Sequence, residues 1–237
     1  MRIMVYGDSN SWGYLDDDSG LRCAGRWPQQ MRRAISTSLA ATKTPLNEPP
    51  RNEPSLGPIE VVEECLPGRV THGIDPVEGP QFDGAAPLLA ILMSHQPLDR
   101  VIFMLGTNDL KARFNRTPDD IAMGVMRLVD IVHASAAGPG GWGAATIPAI
   151  TVICPPMLGA RADDPTWIRH EEWRGGLEKS KLLPRVLGEA CALRGLDFID
   201  ANDGIQSSNR DPIHWRAESH TDFGAVMASH LLNLTKE

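Results

Sequence analysis

Three short segments of this chain carry residue types that can open an acyl bond. In Gly7-Asp8-Ser9-Asn10 a serine follows an apolar run and precedes a helical pattern, which places its hydroxyl at the edge of a sheet. In Gly106-Thr107-Asn108-Asp109 a second tight turn brings the Asn108 amide to a place where negative charge could develop. In Asp211-Pro212-Ile213-His214 an aspartate stands three residues before a histidine. It can accept the proton-bearing ring nitrogen and leave the other nitrogen as a base, with Pro212 stiffening the link. A fourth turn, Cys65-Leu66-Pro67-Gly68-Arg69, can add the N–H of Gly68. Taken singly, each is ordinary turn or capping chemistry. Taken together and in order, they supply a nucleophile (Ser9), a base (His214) and its orienting carboxylate (Asp211). They also supply three oxyanion donors: the N–H groups of Ser9 and Gly68 and the amide of Asn108. The first block is not the G-x-S-x-G elbow, because position 11 is Ser.

Such groups meet only if the elements before them end at one edge. Short apolar runs at residues 3–6, 59–63, 100–105, 147–154 and 196–199 are expected strands. Helical patterns over 27–41, 85–94, 118–136, 171–194 and 221–234 separate or follow them. The helix from 118 is the best signalled: Thr117 can cap, Pro118 suits the first position, and Asp119 and Asp120 complement the dipole. This alternation predicts a parallel sheet of five strands with helices on both faces, a three-layer α/β sandwich. Ligands of such sheets sit at the carboxyl ends of the strands, which is where the four blocks fall. One domain over residues 1–237 is expected, with the Pro-rich 43–58 stretch as a surface loop on the opposite side.

The four blocks resemble the Ser–Gly–Asn–His pattern of the SGNH (GDSL-type) hydrolases. The likeness extends through Trp12-Gly13, the Leu105–Lys111 run and Arg116-Thr117-Pro118 to a subgroup of bacterial arylesterases that also transfer acyl groups in water. It covers nearly the whole chain, with 43–58 as an insertion. The resemblance implies a flavodoxin-like fold, ester cleavage through an acyl-enzyme on Ser9, no cofactor, and higher oligomers. Carbohydrate acetylesterases and thioesterases share the same machinery. Asn10 stands where the family has Leu and Pro212 where it has Gly; Asn10, beside Ser9, is expected to affect which substrates fit. A non-catalytic flavodoxin-like binding module is the alternative from another class.

The bulk properties narrow the partners. Twenty-three basic against 30 acidic residues give a net charge of −7, which argues against nucleic acid and anionic membranes, and no apolar run reaches spanning length. Cys23, Cys65, Cys154 and Cys191 show neither zinc spacing nor a disulfide framework, so no metal is expected. A strand directly at the N-terminus leaves no room for a leader, which predicts a cytoplasmic protein acting on a small-molecule ester. Residues 138–143 satisfy G-x-G-x-x-G, but they end a helix and precede a strand, the wrong context for a dinucleotide. Asp16-Asp17-Asp18 lacks calcium-loop spacing. His220 is expected to support the triad from behind. Trp12, Met157, Leu158 and Trp167 fall in loops at the same edge, as satellite core or as walls of an acyl or alcohol pocket.

Overall fold

The structure is a computed structural model that describes residues 1–41, 59–140, 142–208 and 210–234. The expected 43–58 loop lies outside the described residues. Five parallel strands form one sheet: β1 (Arg2–Gly7), β2 (Glu60–Cys65), β3 (Arg100–Met104), β4 (Ala149–Cys154) and β5 (Asp197–Asp200), in the order β2-β1-β3-β4-β5. Alternation along β1 divides its side chains between two layers. Met4 and Tyr6 join a core with Val101, Phe103, Leu128 and Leu187, while Ile3 and Val5 join Trp27, Met31, Ile102 and Phe223 on the other face. Helices α2 (Trp27–Ala41) and α7 (Ala217–Leu234) cover the second face. Helices α3 (Leu88–His95), α4 (Pro118–Ser135) and α6 (Gly176–Leu193) cover the first. Two short helices, α1 (Ser9–Trp12) and α5 (His170–Trp173), lie in the loops at the carboxyl edge.

Register explains why the blocks meet. Gly7 pairs with Cys65 on one side and Met104 on the other, so β1, β2 and β3 end level. The turns carrying Ser9, Gly68 and Asn108 therefore leave the sheet side by side. The order also reverses at β1, whose chain runs outward to β2 while β3 returns on its other flank. That reversal opens a crevice at the carboxyl edge.

The expected cap of α4 forms in full. Thr117 Oγ1 accepts the Asp120 N–H at 3.1 Å, and Asp120 Oδ2 accepts the Thr117 N–H at 2.8 Å. Of the expected boundaries that shift, two bear on the site. The single helix over 171–194 is two, α5 and α6, broken at Arg174-Gly175, where Gly175 takes φ 72° before Gly176 opens α6. The last helix begins at Ala217 and not at 221, which places His220 within its first turn.

Candidate active site

Ser9 opens α1 directly after β1. Asp8 caps that helix by accepting the Asn10 N–H at 3.0 Å. A helix start leaves its first N–H groups without intrahelical acceptors, so the Ser9 N–H is a ready donor. The turn is tight: a Cβ on Gly7 would lie 2.4 Å from Ser11 Oγ, so only glycine lets the chain bend here. His214 and Asp211 come from the loop between β5 and α7. His214 Nε2 lies 3.1 Å from Ser9 Oγ, and Nδ1 lies 2.5 Å from Asp211 Oδ2. The other carboxylate oxygen of Asp211 accepts the Ile213 N–H at 2.8 Å. Burial pushes this carboxyl up, but the His214 bond and charge, with the Ile213 N–H, outweigh it and hold Asp211 below the ordinary carboxylate value. Asp211 thus stays ionised and fixes the tautomer that leaves Nε2 free to take a proton.

Gly68 and Asn108 border the same cleft as Ser9. Gly68 sits at φ 90°, a conformation that L side chains rarely adopt, and a Cβ there would lie 2.9 Å from the Phe82 ring. Asn108 is held by its neighbour: buried Asp109 accepts the Thr71 N–H at 3.0 Å and the Thr71 hydroxyl at 2.5 Å, and pairs with Arg116. One Asn108 amide hydrogen goes to the Arg69 carbonyl at 3.2 Å. The second remains for a ligand, and Asn108 lines the cleft. Ser9, Gly68, Asn108, Asp211 and His214 all border one cleft of about 260 Å³. A larger hollow of about 380 Å³ beside α4, lined by His72, Arg116 and Arg127, contains none of the four blocks.

The remaining cleft walls differ from expectation. Trp12 packs against Tyr14, with Arg22 over its ring, outside the lining. Leu158 and Trp167 are buried in the core, and Met157 is fixed by its N–H to Asn202 Oδ1; none of the three borders the cleft. Its walls are instead Tyr14, Lys111, Trp173, Ile213, Glu78 and Arg169. These come from loops whose inward side no sequence period marks, although Lys111 does lie in the Asn108 run. Asn10 is also corrected. It is buried, outside the lining, and its side-chain amide donates to the Ile213 carbonyl at 3.2 Å, tying the nucleophile helix to the segment before His214.

Lys111 is the notable wall residue. It is 3% exposed, lies over the Trp173 ring at 5.7 Å, and faces Glu172 at 3.4 Å. Burial, then the nearby Arg113, lowers its ammonium pKa, with Glu172 and Glu78 partly restoring it. Arg113 and Arg169 also pair with Glu172, and Arg113 with Asp75, so the wall is a balanced ionic lattice. Among the described residues no group of three or more His, Cys, Asp or Glu side chains is arranged to hold a metal ion. No helix there is long and apolar enough to cross a membrane.

This sheet, with a serine, histidine and donor groups gathered at its switch point, defines a carboxylic ester hydrolase of flavodoxin-like architecture. Solved structures agree. The M. smegmatis aryl esterase is 33% identical, covering 98% of this chain and 99% of that one, with a TM-score of 0.80. A carbohydrate acetylesterase from Sinorhizobium meliloti is 31% identical over the same shares, with a TM-score of 0.81. A carbohydrate acetylesterase family member from the same organism is 26% identical, covering 100% and 99%, with a TM-score of 0.80. No protein-family model matches the chain, and no curated protein does. The chain belongs to the SGNH (GDSL-type) hydrolase family, and it is an esterase.

Proposed function

We propose that the chain cleaves short acyl esters through an acyl-enzyme on Ser9. The observation that carries this is His214, bridging Ser9 Oγ at 3.1 Å and Asp211 at 2.5 Å. Ser9 Oγ attacks the ester carbonyl while His214 Nε2 takes its proton. The oxyanion is received by the N–H groups of Ser9 and Gly68 and by the free hydrogen of Asn108. His214 then returns the proton to the leaving alkoxide. Water, or a second alcohol, attacks the acyl-enzyme in the same way, giving the acid or a new ester and restoring Ser9. The substrate is a small-molecule ester, no cofactor enters these steps, and four free thiols fit a reducing, cytoplasmic setting.

A second reading concerns the alcohol half. The cleft is walled by Lys111, Arg169, Glu78 and Asp18, with apolar surface from Tyr14, Pro67, Trp173 and Ile213. Such a wall suits a hydroxylated alcohol better than an aliphatic chain, which favours acetylated sugars alongside aryl acetates. The test is fluorophosphonate labelling of Ser9, with turnover of p-nitrophenyl esters of graded length and of acetylated sugars, each with and without added alcohol. Labelling at Ser9 and a rate that falls through the acid side of neutrality are expected. An unlabelled Ser9, or a profile flat down to about pH 4, well below the usual histidine value, removes the reading.

A further inference from the structure

Tyr14 is held at both ends by the two turns that bear the reacting groups. Its N–H donates to the Ser9 carbonyl at 3.0 Å. The next residue, Leu15, bridges to Trp215, and the Asp16 N–H donates to the Trp215 carbonyl at 3.1 Å. Trp215 directly follows His214, so the strap lays the Tyr14 ring across the imidazole. The ring centroids are 4.4 Å apart and the planes tilt by 33°. Behind Tyr14, Trp12 packs at 6.4 Å and the Arg22 guanidinium stands 5.3 Å over Trp12, itself held by Glu63. A pairing between Tyr14 and Arg22 closes the strap on itself. The same contacts that leave Tyr14 in the cleft wall hold its ring against the imidazole.

We infer that Tyr14 is a positioning residue whose ring face both fixes the His214 imidazole and receives the positive charge that it gains as Ser9 attacks. The inference rests on the reading of His214 as base. An aromatic face attracts a cation within about 6 Å of its centroid, more strongly where water is kept away. The imidazole is neutral before attack and an imidazolium in the transition state. A face that prefers the charged form therefore helps only once the reaction is under way, and its loss falls on kcat more than on KM. The other groups facing this imidazole are Asp211 and Ser9 by direct contact, and Asp8 and His220 by charge. Asp211 holds the ring from its edge, and Tyr14 is the aromatic ring stacked on its face.

The test compares wild type, Tyr14→Phe, Tyr14→Leu and a chain with pentafluorophenylalanine in place of Tyr14. Each is assayed for kcat, KM and the acid limb of kcat/KM on one small acetate ester, with Tm recorded. Tyr14→Phe keeps the face, so its kcat and acid limb are expected to stay closer to wild type than those of Tyr14→Leu. Tyr14→Leu is expected to lose about ten-fold in kcat, within the cation–π range, with KM changed far less and the acid limb moved to lower pH. The fluorinated ring keeps the shape but reverses the face, so it should behave as Leu does even if Tyr14→Leu folds poorly. An unmoved acid limb and a near-normal kcat in the fluorinated chain overturn the inference, as does a loss in Tyr14→Phe equal to that in Tyr14→Leu. Failure of the underlying reading looks different: wild type itself would show no acid limb and no Ser9 labelling.

Discussion

His214 and His220 stand six positions apart, and the chain gives them opposite surroundings. His214 lies in the irregular segment before α7, where both ring nitrogens face partners and one face meets Tyr14. His220 lies in the first turn of α7, fully buried and stacked on Trp215 at 5.1 Å. Trp215 in turn packs edge-on against Phe223, and Phe223 against Trp27. The Tyr14 carbonyl lies near the His220 ring, yet neither ring nitrogen makes a hydrogen bond of good geometry among the described residues. Burial first, and the charge of His214 after it, lower the His220 pKa to about 4, with the Tyr14 carbonyl opposing. One ring is placed where it could exchange a proton, as proposed, and the other is walled off from one. Residue type did not decide this; the partners at the ring edge did.

The sharpest way to break the contrast is to exchange the losses. His214→Ala should cost on the order of 10⁴–10⁶ in kcat, as triad deletions do elsewhere, while leaving Tm near that of wild type. Asn108→Ala probes the same region one step away. Its kcat is expected to fall ~10²–10³, about 2.7–4 kcal/mol, with KM little changed. A normal kcat with a depressed Tm would instead make Asn108 a turn-stabilising residue held by its bond to the Arg69 carbonyl.

His220→Leu should do the reverse, keeping turnover within a few-fold and changing how stability depends on pH. Because the folded pKa lies below the ordinary value of 6.5, the unfolded chain takes up the proton first. The stability that His220 contributes is therefore full above that value and lost as pH falls toward about 4, by about 3 kcal/mol. Relative to wild type, the urea midpoint of His220→Leu should therefore gain as pH falls from 7 to 4. An identical slope in wild type and variant would sink the prediction.

The smallest effect concerns Asp8, whose carboxyl burial raises from 3.8 to about 6, with the Asn10 N–H and then His214 opposing. Here the folded chain binds the proton more readily. The contribution is full below 3.8 and lost as pH rises through about 6, by about 2–3 kcal/mol. Asp8→Asn keeps an oxygen for the cap and should raise the urea midpoint above pH 6 but not near pH 4. The two buried groups tilt stability in opposite directions over nearly the same window, so each single variant should show a steeper slope than wild type. A variant no steeper than wild type would show that the two do not offset one another.

The sequence made some of this legible for physical reasons. Strand ends and turn residues are local signals, so Ser9, Gly68, Asn108, Asp211 and His214 can be read from the sequence, and all border the cleft. The cap at Thr117 followed from its own tetrapeptide. The wall residues were not legible, because whether Trp12 or Tyr14 turns inward depends on the pairing of residues 13–23 with each other and with Trp215. No periodicity encodes that. Trp167 and Trp173 pose the same problem across α5: both are buried, and only Trp173 reaches the cleft.

The level ends of β1, β2 and β3 also set a clock. Ser9 and His214 lie 205 positions apart, so the pair forms only when distant parts of the chain meet. Between them β3 must slide in beside β1, a non-local pairing of the kind that folds slowly. A nascent chain can display Ser9 while nothing is present to deprotonate it. On the proposed reading, ester cleavage therefore waits until the segment before α7 docks beside the end of β1, and a polypeptide stalled short of His214 lacks its base.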